Sequence, residues 1–282
     1  MPKFGPAGNA ASFSKMGYKN SLDVPDYIVK MGLDCYEYQC GRGVNIGEEK
    51  AKLLGEKASA AGIGLSLHAP YYISMSSVEE EKRKNSVNYI LASARAVNAM
   101  GGSRIVVHTG SCGKISREEA LALAKDTMHM ALDALDSEGL SNIHICPETM
   151  GKVNQLGTLD EVLELCLLDE RLIPCIDFGH LNARDLGCLK EFSDYENIFI
   201  KIRDRLGTDR LKSFHSHFSK IEYTTGGEKR HLTFEDTVYG PDYEPVMELV
   251  LKYGCDPTFI CESAGTQAED AKKMKDYYYS IV

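Results

Sequence analysis

The feature that most constrains this chain is a recurrence. A short run rich in β-branched or aromatic residues, followed by a longer segment of helical period, repeats eight times. The strand candidates are Lys3–Ala7, Cys35–Gln39, Gly64–His68, Arg104–His108, His144–Glu148, Ile173–Asp177, Ser213–His217 and Thr258–Glu262. Between them, apolar residues fall at helical spacing, as in Val87, Ile90, Leu91, Ala94, Val97 and Met100, and again in Ala120, Ala124, Met128, Ala131 and Leu135. The capping boxes Ser77-x-x-Glu80, Ser116-x-x-Glu119 and Thr158-x-x-Glu161 predict where three of the helices begin. Eight strand–helix units in 282 residues predict an α/β chain folded as one domain, a (β/α)8 TIM barrel over residues 1–282. An open doubly wound sheet is the alternative. It lacks its nucleotide loop, because Gly5-Pro6-Ala7-Gly8-Asn9 is not GxGxxG.

Composition narrows the class of function. Hydrophobic residues at 43% and charged residues at 26% are ordinary globular values. No apolar run approaches the roughly 20 residues of a membrane span, and Met1–Gly8 shows no apolar leader. A cytoplasmic monomer with no membrane partner is the expectation. The nine cysteines are odd in number and form no CxxC pair, which suits reduced thiols. Those at 35, 146, 166, 175 and 261 read as small core residues, while Cys112 lies in a loop near the expected site. The net charge of −9 argues against binding nucleic acid through a basic surface.

In such a barrel the active site gathers at the C-terminal strand ends. There the third to eighth strands carry His68, His108, Glu148, Asp177 with His180, His215-Ser216-His217, and Glu262, while His231 sits in the loop after the seventh. Carboxylates crowded into one cleft repel one another and resist ionisation, a conflict that divalent metal resolves. Imidazole mixed with carboxylate suits Zn2+, with Mn2+ or Fe2+ as alternatives, and the ligand count exceeds one tetrahedral ion. Two or three ions sharing a bridging carboxylate follow. His129 in mid-helix and His144 at the opposite barrel end are expected to be structural or surface residues.

The segments Ser66-Leu67-His68-Ala69-Pro70-Tyr71, Val107-His108-Thr109-Gly110-Ser111, Pro147-Glu148-Thr149, Cys175-Ile176-Asp177-Phe178-Gly179-His180, His215…Ser219-Lys220 and Glu262 resemble the endonuclease IV family of apurinic/apyrimidinic endonucleases, within the xylose-isomerase-like barrel superfamily. The likeness runs from about Lys3 to Met274. It implies one zinc on His68, His108 and Glu148, a second on Glu148, Asp177, His215 and Glu262, and a third on His180 and His231. It further implies Tyr71, Lys220 and Arg42 as substrate-binding residues, and Glu148 and Glu262 as the catalytic pair orienting the attacking water. The implied partner is damaged DNA, cleaved 5′ to an abasic site. Where the family has Asp-x-His, this chain reads Lys229-Arg230-His231. Either Glu228 takes the acid's place through a one-residue bulge, or Lys229 contacts phosphate and two metals remain.

A sugar isomerase or epimerase on the same barrel would need only Glu148, Asp177, His215 and Glu262 around a single metal, with a small sugar or sugar phosphate as substrate. A non-catalytic barrel is the third reading. Metal count separates the first two.

Overall fold

The computed structural model describes residues 1–282. Eight parallel strands form the barrel: β1 (Lys3–Pro6), β2 (Cys35–Gln39), β3 (Gly64–His68), β4 (Arg104–Val107), β5 (His144–Pro147), β6 (Cys175–Asp177), β7 (His215–Phe218) and β10 (Thr258–Cys261). They pair as two half-barrels, β1-β10-β7-β6 and β2-β3-β4-β5. Single parallel bridges close the seams, Ala7 with Glu37 on one side, Ile145 with Leu172 and Glu148 with Cys175 on the other. The fold is the (β/α)8 barrel, and the open sheet is excluded by this closure. No helix is long and apolar enough to cross a membrane.

Strand periodicity explains which residues meet. Successive side chains alternate between faces. The outward set, including Leu67, Ile105, Val107, Ile145, Ile176, Phe214, Phe218 and Phe259, joins the cluster of 65 buried residues beneath the helices. The inward set is mixed: Glu37, Ser66, His68, Glu148, Asp177, His215 and His217 are polar, while Val106, Cys146, Cys175 and Ile260 are apolar, all buried. Thus the main apolar core lies between strands and helices, while the barrel interior holds the polar side chains together with two small apolar clusters. All nine cysteines are free thiols, and Cys188 alone is exposed.

Two capping boxes form as expected. Ser116 Oγ accepts from Glu119 N at 3.1 Å and Thr158 Oγ1 from Glu161 N at 3.2 Å, with each glutamate reaching back to its cap. The third does not. Ser77 is spent in a turn, accepting from Glu79 N at 3.2 Å, and the helix starts at Glu80 behind an uncapped Glu79. The seventh strand also begins later than its sequence suggests. Ser213 ends the preceding helix, its hydroxyl donating to Asp209 O at 2.9 Å, so β7 starts at His215. Beyond β7 the chain makes an unforeseen antiparallel hairpin, β8 (Ile221–Thr224) and β9 (Gly227–His231), so His231 ends a strand instead of sitting in a loop.

Candidate metal centre at the barrel mouth

Glu148 organises the site. It is fully buried, and each oxygen faces a different pair of imidazoles. Oε2 lies 3.4 Å from His68 Nε2 and 3.2 Å from His108 Nε2, while Oε1 lies 2.9 Å from His217 Nδ1 and 3.4 Å from His180 Nδ1. Five overlapping groups of donors have ligand atoms within 4.8 Å of one another, and three of them cover the rim: His68, His108 and Glu148; Glu148, Asp177, His217 and Glu262; and His180, Glu228 and His231. The other two are His68, His217 and Glu262, and, deeper in the barrel, Cys175, His215 and His217.

His215 is absent from the three rim groups and enters only the deeper one, with Cys175 and His217. The sequence reading placed it beside Asp177, but β-sheet register pairs Asp177 with His217 and Cys175 with His215. Both imidazoles point inward, and His215 lies two residues, or about 6.6 Å of strand, deeper in the barrel. There its Nε2 donates to Glu37 Oε2 at 2.9 Å. His217 reaches the same carboxylate from above, with Nε2 2.9 Å from Glu37 Oε1, and Ser66 Oγ donates to Glu37 Oε2 at 3.0 Å. Glu37 is the residue that sequence reasoning missed. Its signal was phase: Cys35, Glu37 and Gln39 alternate with Tyr36 and Tyr38, which puts an acid on the inner face.

These residues fit divalent cations. His68 Nδ1 donates to Ala69 O at 2.8 Å and His180 Nδ1 to Thr149 O at 2.9 Å, so the Nε2 lone pair of each is free for a ligand role. His231 Nδ1 is bonded to Ser219 Oγ at 2.8 Å, leaving Nε2 on the side of Glu228. Asp177 Oδ1 accepts from His180 N at 2.7 Å, but its Oδ2 is buried with no hydrogen-bond partner. His180 Nδ1, already bonded to Thr149 O, stands 3.3 Å from that oxygen, and a buried carboxylate oxygen without a hydrogen bond is costly unless a cation meets it.

The electrostatics agree. Burial disfavours charge on Glu148, yet the surrounding imidazoles, His217 foremost, outweigh it and hold the carboxyl well below the usual carboxylate range. Glu37 behaves alike, with His217 and His215 overcoming its burial. Asp177 goes the other way: burial raises it, His180 opposes, and the Glu148 and Glu262 charges add to the rise. Burial opposes protonation of His68, but Glu148 lifts it to about 9. The site demands positive charge, from imidazolium or from metal.

A β-bulge builds the third set. In the hairpin, Glu222 pairs with Arg230 but its neighbour Tyr223 pairs with Glu228, so Lys229 is an extra residue. That residue returns Glu228 and His231, three apart, to one face. Lys229 and Arg230 turn outward, each 2.6 Å from a Glu222 oxygen. Of the two alternatives in the sequence, the bulge is therefore the one formed, with Glu228 Oε2 3.5 Å from His180 Nε2. Gly151 permits the approach, since a Cβ there would lie 2.7 Å from Glu228 Cβ and 2.9 Å from His180 Cδ2.

A cleft of about 260 Å3 opens above these groups, with Tyr71 at its mouth. The tyrosine is half exposed, its ring 4.4 Å from that of Tyr72. The two other proposed substrate contacts are elsewhere. Lys220 Nζ donates to Asp236 O at 2.7 Å and pairs with Asp242 at 3.3 Å, bracing the following loop. Arg42 is exposed and its neighbour Gly41, not Arg42, lines the cleft. His129 is exposed, and His144 Nδ1 donates to Arg171 O at 3.2 Å, both away from the centre. Cys112 is buried in the core, not on the cleft wall.

Known proteins share this architecture. A family described as xylose isomerase-like TIM barrel matches residues 25–279. An uncharacterized protein of Methanocaldococcus jannaschii is 35% identical over 252 residues, 89% of this chain and 90% of that protein. The probable endonuclease 4 of Mycoplasma genitalium is 30% identical over 193 residues, and the match spans 66% of this chain and 62% of that relative. Among solved structures, a D-tagatose 3-epimerase-like protein aligns with TM-score 0.72 at 20% identity, covering 99% of this chain and 98% of that one. Endonuclease IV from Thermus thermophilus aligns with TM-score 0.70 at 16% identity, covering 99% and 100%. Likeness at such identities speaks to fold.

Proposed function

Because this chain belongs to the xylose isomerase-like TIM barrel family, we propose that it is a metal-dependent phosphodiester hydrolase that cleaves DNA on the 5′ side of abasic sites. The observation that carries this reading is the presence of three donor sets on one rim, two of them sharing Glu148. An enzyme that moves a proton at a sugar carbon has use for one.

In this reading His68, His108 and Glu148 would hold one cation, Glu148, Asp177, His217 and Glu262 a second, and His180, Glu228 and His231 a third. Nitrogen and oxygen donors of this kind suit Zn2+, and also Mn2+ or Fe2+. When bound, such ions supply Lewis-acid polarisation of phosphoryl oxygens and acidify water. The chain's own contribution is position and proton handling. Glu262 lies at the cleft, its Oε1 3.6 Å from His217 Nδ1, and is the more accessible of the two glutamates. It accepts the proton of the attacking water, while Glu148 is fixed by its four imidazoles. Tyr71 offers an aromatic face to the deoxyribose from which a base is missing.

With metal-loaded protein and a duplex carrying one tetrahydrofuran abasic analogue, incision 5′ to the lesion is expected, and Glu148→Gln should slow it at least about 10³-fold. A wild-type protein inert with Zn2+, Mn2+ and Fe2+ alike would overturn the reading. The bulge gives a separate expectation. Glu228→Ala should lower bound metal by about one equivalent per chain, measured by plasma mass spectrometry after dialysis, because two imidazoles alone hold a divalent ion poorly.

The acidity of the chain favours one second reading. A net charge of −9 weakens non-specific contact with DNA, and Glu148, Asp177, His217 and Glu262 would suffice for a one-metal sugar isomerase or epimerase acting on a small sugar or sugar phosphate. One metal equivalent per chain, with solvent deuterium entering a ketose, would favour it over the hydrolase.

A further inference from the structure

The loop that follows β5 is held more tightly than a connection requires. Arg184 is almost fully buried. Its Nη1 donates to Met150 O at 3.0 Å and Lys152 O at 2.9 Å, and its Nη2 to Val153 O at 2.8 Å and Gln155 O at 3.2 Å. Arg117 adds bonds to Val153 O at 3.0 Å and Gln155 O at 3.1 Å. The opposite edge is stitched to the β8–β9 hairpin, with Glu228 N donating to Gly151 O at 3.0 Å and Val153 N to Gly226 O at 3.1 Å. Burying a guanidinium to satisfy neutral carbonyls is expensive. Such a cost is understandable where a side chain must be delivered in register to a reaction centre.

The side chain delivered is Lys152. It lies on the cleft wall with His68, His108, Glu148, His180, Glu228 and Glu262, and it is the only lysine or arginine there. Lys229 and Arg230 nearby are neutralised by Glu222, whereas Lys152 is exposed and carries no internal ion pair. Its backbone is further fixed by Gln155, whose Oε1 accepts from Lys152 N at 3.3 Å.

We propose that Lys152 is a specificity-determining contact for an anionic phosphate oxygen of the substrate, presented by a loop that Arg184 and Arg117 pre-organise. The substrate assignment rests on the hydrolase reading above. A neutral sugar offers this ammonium no charge to meet, whereas a phosphodiester or a sugar phosphate does. The lysine then separates substrates by charge at the cleft, and the carboxylates below it do not compete once cations neutralise them.

The test uses the metal-reconstituted full chain. Lys152→Met should weaken inorganic phosphate, titrated by calorimetry, about tenfold, and raise KM for the abasic duplex by a similar factor. Metal content should be unchanged and kcat altered by no more than about twofold. Lys152→Arg should recover most of both losses. Phosphate affinity and KM unchanged in Lys152→Met, at wild-type metal content, would overturn the assignment. If the wild type cleaves no abasic duplex yet loses phosphate binding in Lys152→Met, the hydrolase reading falls and the anion contact stands. Tight binding of deoxyribose 5-phosphate in that case would mark a small sugar phosphate as its ligand.

Discussion

His217→Ala is expected to lose at least one equivalent of bound metal and at least about 10³-fold in activity, whereas His215→Ala should keep its metal and most of its turnover. The two substitutions are well matched as structural insults. Both imidazoles are fully buried, and both donate Nε2–H to Glu37 at 2.9 Å. Either change leaves a similar cavity and removes one hydrogen bond from Glu37, whose Oε2 keeps Ser66 Oγ and whose Oε1 keeps Gln39 Nε2, at a cost of about 1–3 kcal/mol each. They differ in the other nitrogen. His217 turns Nδ1 to Glu148 Oε1 at 2.9 Å and to Glu262 Oε1 at 3.6 Å, while His215 Nδ1 is buried with no partner. Thermal melts of the chelated proteins should therefore shift by comparable amounts. Plasma mass spectrometry and incision rate should then divide them. A His215→Ala protein that loses metal while His217→Ala retains it would reverse the assignment made from register.

The same pair shows what the sequence could and could not reveal. Inward phase is a local property, and it was readable. His68, Glu148, Asp177 and Glu262 each close a strand or follow it directly, so their convergence at one rim follows from barrel topology. Height along the axis is not local. It depends on the register of β7 against β6, which sets His217 beside Asp177 and His215 beside Cys175. The resemblance gave the ligand role to His215, and this register gives it to His217. Lys220 shows a related limit, because a lysine after a strand end serves the cleft or the adjoining loop according to partners such as Asp236 and Asp242 that lie well along the chain. Glu228 was legible only conditionally. A carboxylate three residues before His231 shares its face in a bulged strand and opposes it in a regular one, and register between β8 and β9 supplied the bulge. Glu37 was overlooked because a glutamate between two tyrosines reads as a solvent-facing residue until barrel closure places that face inside.

Glu37→Gln is expected to weaken metal binding at the set containing His217 by about 10–100-fold, although Glu37 belongs to no donor group itself. The carboxylate accepts on both oxygens: Oε1 from His217 Nε2 at 2.9 Å and Gln39 Nε2 at 3.3 Å, and Oε2 from His215 Nε2 at 2.9 Å and Ser66 Oγ at 3.0 Å. That arrangement keeps the His217 proton on Nε2 and its Nδ1 lone pair toward Glu148. An amide of the same shape has one acceptor and one donor end. Whichever histidine faces the NH2 must move its proton to Nδ1. On His217 that removes the ligand; on His215 it consumes the nitrogen that has no partner. His217 is the more easily driven, since its Nδ1 lies 2.9 Å from the Glu148 carboxylate, which can accept the relocated proton. Titration of Co2+ followed by its visible absorption separates this from general loosening. Glu37→Gln should show a weakened phase with altered band intensity for this set, while the set of His180, Glu228 and His231 keeps wild-type affinity. Glu37→Asp, still an acceptor on both oxygens, should recover part of the loss. Uniform weakening of every phase would assign Glu37 to packing alone, and wild-type affinity throughout would remove it from the metal centre altogether.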